Sequence, residues 1–231
     1  MKEYDVIVIG SGGGTKISTP AAALGFKAAI IEKDRVGGTC LNRGCIPSKM
    51  LIHPANVATM IDEAKKFDIK TKIESVNFAK IVKRISETVD NNSNAIENSY
   101  RKKNLKKLDF YDGHAKFVAD NIIEVNGKKI TAKKIVIATG ARPSIPPIEG
   151  LKGTPYMTST EALRNTKNIR KLLVLGGGYI ACELGHAYGA LGSEVHMIVR
   201  SIFLRNEDKD VREQFAKVFA ERYKVHYAST E

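Results

Sequence analysis

The sequence predicts an α/β protein made of two similar units, on three observations. A continuous apolar run rich in β-branched residues, Tyr4-Asp5-Val6-Ile7-Val8-Ile9, opens the chain and reads as a strand buried on both faces. It passes directly into Gly10-Ser11-Gly12-Gly13-Gly14-Thr15, a helix-compatible segment ending at Leu24-Gly25, and a second short strand, Lys27 to Ile31, that closes on Glu32. The same plan returns 166 residues later as Lys171 to Leu175, Gly176-Gly177-Gly178-Tyr179-Ile180-Ala181, a segment ending in Ala190-Leu191-Gly192, and Glu194 to Val199, closing on Arg200. Strand, glycine turn, helix and strand in that order open a nucleotide-binding βαβ unit. The fold class is therefore two Rossmann-like dinucleotide-binding domains, both incomplete in this chain.

In each copy the first glycine allows a tight turn and the second lets the backbone approach a pyrophosphate. The helix N-terminus beyond supplies amide donors and the positive end of a dipole. Thr15 takes the third position of the first copy, where it is expected to add bulk at the helix–strand contact; Ala181 takes it in the second. Glu32, 22 residues beyond Gly10, can accept from ribose hydroxyls and suits an adenosine without a 2′-phosphate, such as that of FAD. Arg200 at the corresponding place can pair with a 2′-phosphate, or is simply a surface arginine at a strand end.

Between the copies Phe78, Ile81, Val82, Ile85 and Val89 repeat at helical spacing, and the polar run to Lys103 continues that helix. Alternating stretches at Ala115 to Val118 and Ile122 to Val125 come next, with Asn126-Gly127 as a hairpin turn. Thr131 to Gly140 reads as a buried strand that delivers Thr139-Gly140 at its carboxyl end. Pro143, Pro146, Pro147 and Gly150 break any regular structure beyond that strand. The expected division is a first domain over 1–145, a linker over 146–168 and the start of a second domain over 169–231.

Thirty-seven Lys and Arg against 25 Asp and Glu give +12, and the stretch 101 to 134 holds ten Lys or Arg against four Asp or Glu, half of that excess. Aromatic residues are sparse there and no groove-reading or stacking motif is present, so a basic nucleic-acid-binding module is the remote alternative and a solvated basic face the plainer reading. No apolar run approaches the 18 residues of a membrane span, and no signal-peptide core is present. The expectation is a soluble cytoplasmic protein with neither nucleic acid nor membrane as partner.

Three cysteines in such a chain do not make a disulfide framework, and no Cys or His spacing completes a zinc site, so no metal is expected. Cys40 and Cys45 precede an apolar helix-compatible stretch, Met50 to Met60, so their positions favour a helix N-terminus, which lowers thiol pKa. A pair so placed can cycle between dithiol and disulfide. The alternative, two small buried residues, sits poorly beside two dinucleotide sites. Cys182 stands alone in a helical pattern.

The run Gly37-Gly38-Thr39-Cys40-Leu41-Asn42-Arg43-Gly44-Cys45-Ile46-Pro47-Ser48-Lys49, behind an N-terminal glycine fingerprint, resembles the redox-active motif of the class I pyridine nucleotide-disulfide oxidoreductases. Ala138-Thr139-Gly140 and Gly178-Tyr179-Ile180-Ala181-Cys182-Glu183 extend the resemblance over the whole chain. It implies an FAD-dependent NAD(P)H disulfide oxidoreductase. Gly10, Gly12, Gly13, Gly14, Glu32, Gly38, Thr39, Thr139 and Gly140 would contact FAD, Cys45 would face the flavin, and Cys40 would attack the substrate disulfide. Lys49 would lie by the flavin, paired with Glu183. Tyr179 would gate the nicotinamide pocket, and Gly176, Gly178, Ile180 and Arg200 would hold NAD(P)H, with NADPH favoured over NADH because an arginine stands at 200.

The stretch Met197 to Arg200 and Leu204 to Asp208 looks most like mycothione and mercuric reductases, and the resemblance implies a lipoyl or small-molecule disulfide or dithiol as substrate. Family members are homodimers whose dimerisation domain carries a His-Pro-Thr motif and a partner Glu. None of His53, His114, His186, His196 and His226 is followed by Pro-Thr, and the match stops inside the second domain. The chain alone is accordingly expected to fall short of full activity, and a non-catalytic nucleotide-binding remnant is the competing reading.

Overall fold

The structure, a computed structural model, describes residues 1–228. The first elements in chain order are β1 (Lys2–Ile9), α1 (Thr15–Ala23), β2 (Ala28–Glu32), α2 (Gly38–Arg43), α3 (Cys45–Glu63) and α4 (Phe78–Arg101). Then come β3 (Leu108–Asp112), β4 (Lys116–Ala119), β5 (Ile122–Val125), β6 (Lys128–Ile137) and α5 (Ser159–Ala162). The last are β7 (Lys171–Leu175), α6 (Tyr179–Ala190), β8 (Glu194–Val199), α7 (Lys209–Arg222) and β9 (Lys224–Tyr227). Two compact units result, Met1–Ile46 with Glu87–Ile148, and Pro47–Ser86 with the residues from Glu149 onward.

In the first unit a six-stranded sheet runs in the order β3-β2-β1-β6-β5-β4. The four strands from β3 to β6 are parallel, and β5 and β4 turn back antiparallel. The β-branched run of β1 sits at the centre because both of its faces are apolar: Ile7 packs with Ala29 and Ile31 on one side, Val6 and Val8 with Ala28, Ile30 and Ala22 of α1 on the other. Asn126 and Gly127, both at positive φ, close the β5–β6 hairpin.

Strand β6 differs from the buried strand expected over 131–140. It begins at Lys128, out of the hairpin, and past Ala132 no residue of it is fully buried, with Ile137 66% exposed. Its pairing with β5 stops at Thr131, whereas its pairing with β1 runs on to Ile137. Among the described residues one edge of its second half therefore has no strand beside it.

The second unit holds a parallel sheet ordered β7-β8-β9. Val195, Met197 and Val199 alternate along β8 into a core with Cys182, Phe203 and Phe219, while Glu194, His196 and Ile198 point the other way and stay half-buried. Phe215, Phe219 and Tyr223, one turn apart, pack in a column, the first pair stacked and the second tilted, with ring centroids 5.0 and 4.7 Å apart. Among the described residues no helix is long and apolar enough to cross a membrane.

Candidate functional site

The first glycine turn lies at the carboxyl ends of β1, β2 and β6. Gly10 holds φ +108°, and a Cβ there would lie 2.2 Å from the Ala138 carbonyl oxygen, so the turn admits only glycine. Gly12 faces Gly38 so closely that a Cβ on Gly38 would stand 2.4 Å from the Gly12 Cα, whereas a Cβ on Gly13 would meet nothing. The helix α1 beyond has no side-chain cap. The amides of Thr15, Lys16 and Ile17 turn back onto the carbonyls of Gly12, Gly13 and Gly14, so what fits a pyrophosphate here is the bare glycine backbone, the open space over Gly13 and the positive end of an uncapped helix.

The third fingerprint position works differently from the sequence expectation. Gly14, not Thr15, makes the close helix–strand contact: a Cβ on it would lie 2.3 Å from the Gly10 oxygen and 2.5 Å from Val8. The Thr15 hydroxyl turns back and donates to the Gly12 carbonyl at 2.8 Å. The threonine thus adds no bulk to the packing.

Glu32 binds the cradle together. Its Oε2 accepts from the Ser11 amide (2.9 Å) and hydroxyl (2.8 Å), and its Oε1 from the amides of Lys33 (2.9 Å) and Asp34 (3.0 Å). The Ser11 Oγ in turn accepts from the Gly37 amide at 3.0 Å. Before it meets any ribose, the carboxylate already serves four of the chain's own donors, which is close to its capacity.

The Gly37–Gly38 turn is held by side chains that the motif alone does not single out. Asn42 Nδ2 donates to the carbonyls of Arg35, Val36 and Gly38, and the buried Ser93 hydroxyl donates to Val36 at 2.7 Å. This fixes α2, which carries Thr39 and Cys40. Thr39 lies near Gly140, where a Cβ would be 3.9 Å from Thr39 Oγ1, and Thr139 and Gly140 are exposed beyond β6.

Cys45 is the first residue of α3 and Cys40 the third residue of the short helix α2, so the two thiols stand in the first turns of two successive helices, not at the start of one as expected. The helix begins five residues before the apolar stretch because Pro47 falls in its first turn, where a missing amide costs nothing. Both thiols are exposed and neither is in a disulfide. The Cys40 thiol is pushed up, not down: its hydrogen bond to Cys45 is the largest cause, and burial adds to it. Cys182 is buried and its thiol is pushed up to about 12, chiefly by that burial, so it is not a reactive group.

In the second unit Gly176 turns the chain after β7 at φ +124°, and Gly177 packs where a Cβ would lie 2.8 Å from Val199. Gly178 precedes α6 with no side-chain cap, and Tyr179 and Ile180 on its first turn are exposed. Arg200 is exposed beyond β8. Arg205, on the same loop and not singled out by the motif, donates to Ser201 Oγ at 3.0 Å. Lys49 on α3 and Glu183 on α6 form an ion pair within this unit. Among the described residues no group of three His, Cys, Asp or Glu side chains could hold a metal ion.

A family model described as pyridine nucleotide-disulphide oxidoreductase matches residues 4–230. A mercuric reductase of Bacillus cereus is 39% identical over 227 residues, which cover 95% of this chain and 35% of that protein. A mycothione reductase of Mycobacterium tuberculosis is 33% identical over 232 residues, 97% of this chain and 50% of that one. The HOCl-induced flavoprotein disulfide reductase RclA of Escherichia coli, solved as a Cu(II) complex, superposes with a TM-score of 0.83 at 29% identity, over 99% of this chain and 50% of that one. The chain spans half or less of the length of these relatives.

Proposed function

The chain belongs to the pyridine nucleotide-disulphide oxidoreductase family, and from that premise we propose that it passes electrons from NAD(P)H to a disulfide substrate through FAD and the Cys40–Cys45 pair. The observation that carries the proposal is that pair: two exposed thiols, hydrogen-bonded to each other, in the same compact unit as a glycine cradle fit for a dinucleotide. FAD, when bound, would supply a two-electron relay between nicotinamide and dithiol. Residues 1–145 would bind it, through Gly10, Gly12, Gly13, Gly14, Gly38, Thr39, Thr139, Gly140 and Glu32, and residues from 169 would bind the nicotinamide nucleotide.

The chemistry of the cysteines balances without further groups. Cys40, once it gives up its proton, attacks one sulfur of the substrate disulfide and forms a mixed disulfide; the first thiol leaves as that S–S bond breaks and takes up a proton. Cys45, giving up its proton, then attacks Cys40 Sγ, closes the Cys40–Cys45 disulfide and releases the second thiol; restoring the dithiol would take two electrons and two protons, a hydride's worth of them from NAD(P)H and one proton from solvent. Lys49, paired with Glu183, would place a positive charge beside the flavin. Arg200 would select NADPH by its 2′-phosphate. The substrate class is a lipoyl or low-molecular-weight disulfide, and a cytoplasmic setting and a homodimeric whole protein belong to the same proposal.

Two measurements on the purified chain test this. Flavin released by heating should be stoichiometric with protein after reconstitution with FAD, and titration should find two fewer thiols after mild oxidation, restored by reductant. Flavin without thiol cycling would leave a nucleotide-binding remnant. Neither, with steep salt-dependent binding to unrelated oligonucleotides, would favour a basic nucleic-acid binder.

A further inference from the structure

Lys49, Asn56 and Glu63 stand seven residues apart on α3, close to two helical turns each, and so form one stripe about 21 Å long. Each has a partner in the same unit. Lys49 pairs with Glu183 on α6, Asn56 Oδ1 lies 2.9 Å from His186 Nε2 on α6, and Glu63 pairs with Arg222 at the end of α7. Glu183 and His186 share a face of α6, three residues apart.

The three contacts do not hold equally. Those at the ends join long side chains with many rotamers, and such ion pairs, Lys49 being 62% exposed, fix geometry weakly. The middle contact joins short side chains with directional bonds at both ring nitrogens. His186 Nδ1 lies 2.9 Å from the Tyr223 hydroxyl, and because Asn56 Oδ1 can only accept, Nε2 carries the proton and Nδ1 accepts from Tyr223. Burial, with the Arg222 charge beside it, lowers the pKa of His186 and keeps that neutral tautomer.

Tyr223 is itself fixed. Its ring packs on Phe219 and lies so close to α6 that a Cβ on Gly189 would be 2.3 Å from Cε1. The aromatic column of α7 therefore sets His186, and His186 sets Asn56. A slip of α3 by one residue would turn its stripe by about 100° and carry Lys49 away from Glu183.

We propose that Asn56, His186 and Tyr223 are positioning residues that set the register of α3 and thereby keep Lys49 on Glu183. The functional weight of that placement rests on the role proposed above for Lys49; the placement itself does not. Competitive acylation of the lysines of the whole chain with acetic anhydride, read by mass spectrometry at Lys49 against exposed Lys16, measures it without any cofactor. Glu183→Gln sets the released level. Asn56→Ala and His186→Ala should raise Lys49 labelling about two- to tenfold towards it, the worth of one hydrogen bond. His186→Gln, whose amide can donate to Asn56 and accept from Tyr223, should stay within about twofold of the parent.

Unchanged Lys49 labelling in Asn56→Ala, or no rise in Glu183→Gln, overturns the proposal. So does a His186→Gln variant that labels like His186→Ala, because the ring would then act by packing alone. Asn56 is exposed, so its variant remains decisive if His186→Ala fails to fold. Loss of flavin binding or thiol cycling in the parent would sink the proposed function and leave the labelling result standing.

Discussion

The hydrogen bond to Cys45, and after it burial, push the Cys40 thiol up, so it ionises with more difficulty than an ordinary thiol. Alkylation of Cys40 by iodoacetamide should therefore show a midpoint above the ordinary thiol value of 9.0, and Cys45→Ala should bring it down by removing the largest cause. An unmoved midpoint would mean that Cys45 does not hold the proton. Arg200, exposed beyond β8, is the residue to which the proposed choice of NADPH is assigned. Arg200→Glu should shift nucleotide preference from NADPH towards NADH, since a charged contact of about 1.5–3 kcal/mol is roughly ten- to a hundredfold in affinity. Isothermal titration with both nucleotides measures the ratio, and an unchanged ratio would make Arg200 a plain surface charge.

Elements were legible in the sequence where a local pattern carried them. β1, β2, β7 and β8 show as apolar runs beside glycine turns, and the 24 residues of α4 as a helical repeat. Helix α2 was not legible, because its six residues start on the second of two glycines at positive φ and the turn is held by Asn42 and Ser93, contacts that leave no periodic trace. Nor was the role of His186, whose partner Asn56 is 130 residues away and leaves no periodic trace. That histidine also gives the packing of α3, α6 and α7 a pH dependence. Its folded pKa lies below the unfolded value of 6.5, so between the two the unfolded chain binds more protons. Its contribution is complete above pH 6.5 and is lost as pH falls through the folded value, where His186⁺ would face Arg222 and its Nδ1, now protonated, could no longer accept from Tyr223. Urea unfolding at about pH 7.5 and 5.5 should show lower stability at the acid end, and His186→Gln should remove part of that difference. A variant with the same pH slope as the parent would exclude His186 as its source.

At the scale of the molecule, the parallel strands that build both sheets end in edges of unequal protection. β4 is an exposed outer strand, but its hairpin partner covers β6 only as far as Thr131. Lys133 and Lys134 are exposed on β6 and oppose the approach of another strand. Beyond them Ile135-Val136-Ile137 continues the strand with an edge that, among the described residues, has no neighbour, and Ile137 is 66% exposed. An apolar segment with free backbone donors and acceptors is a template for a second strand, and the first candidate in solution is another copy of the same segment. The purified chain should therefore show a weight-average mass that rises with concentration in sedimentation velocity at micromolar levels. Ile137→Lys extends the lysine protection to the end of the strand and should reduce that rise. It should change folding stability by no more than about 0.5 kcal/mol, because the position is exposed. Association that persists unchanged in Ile137→Lys while Leu173→Lys, on the exposed side of β7, abolishes it would place the contact on the second sheet instead.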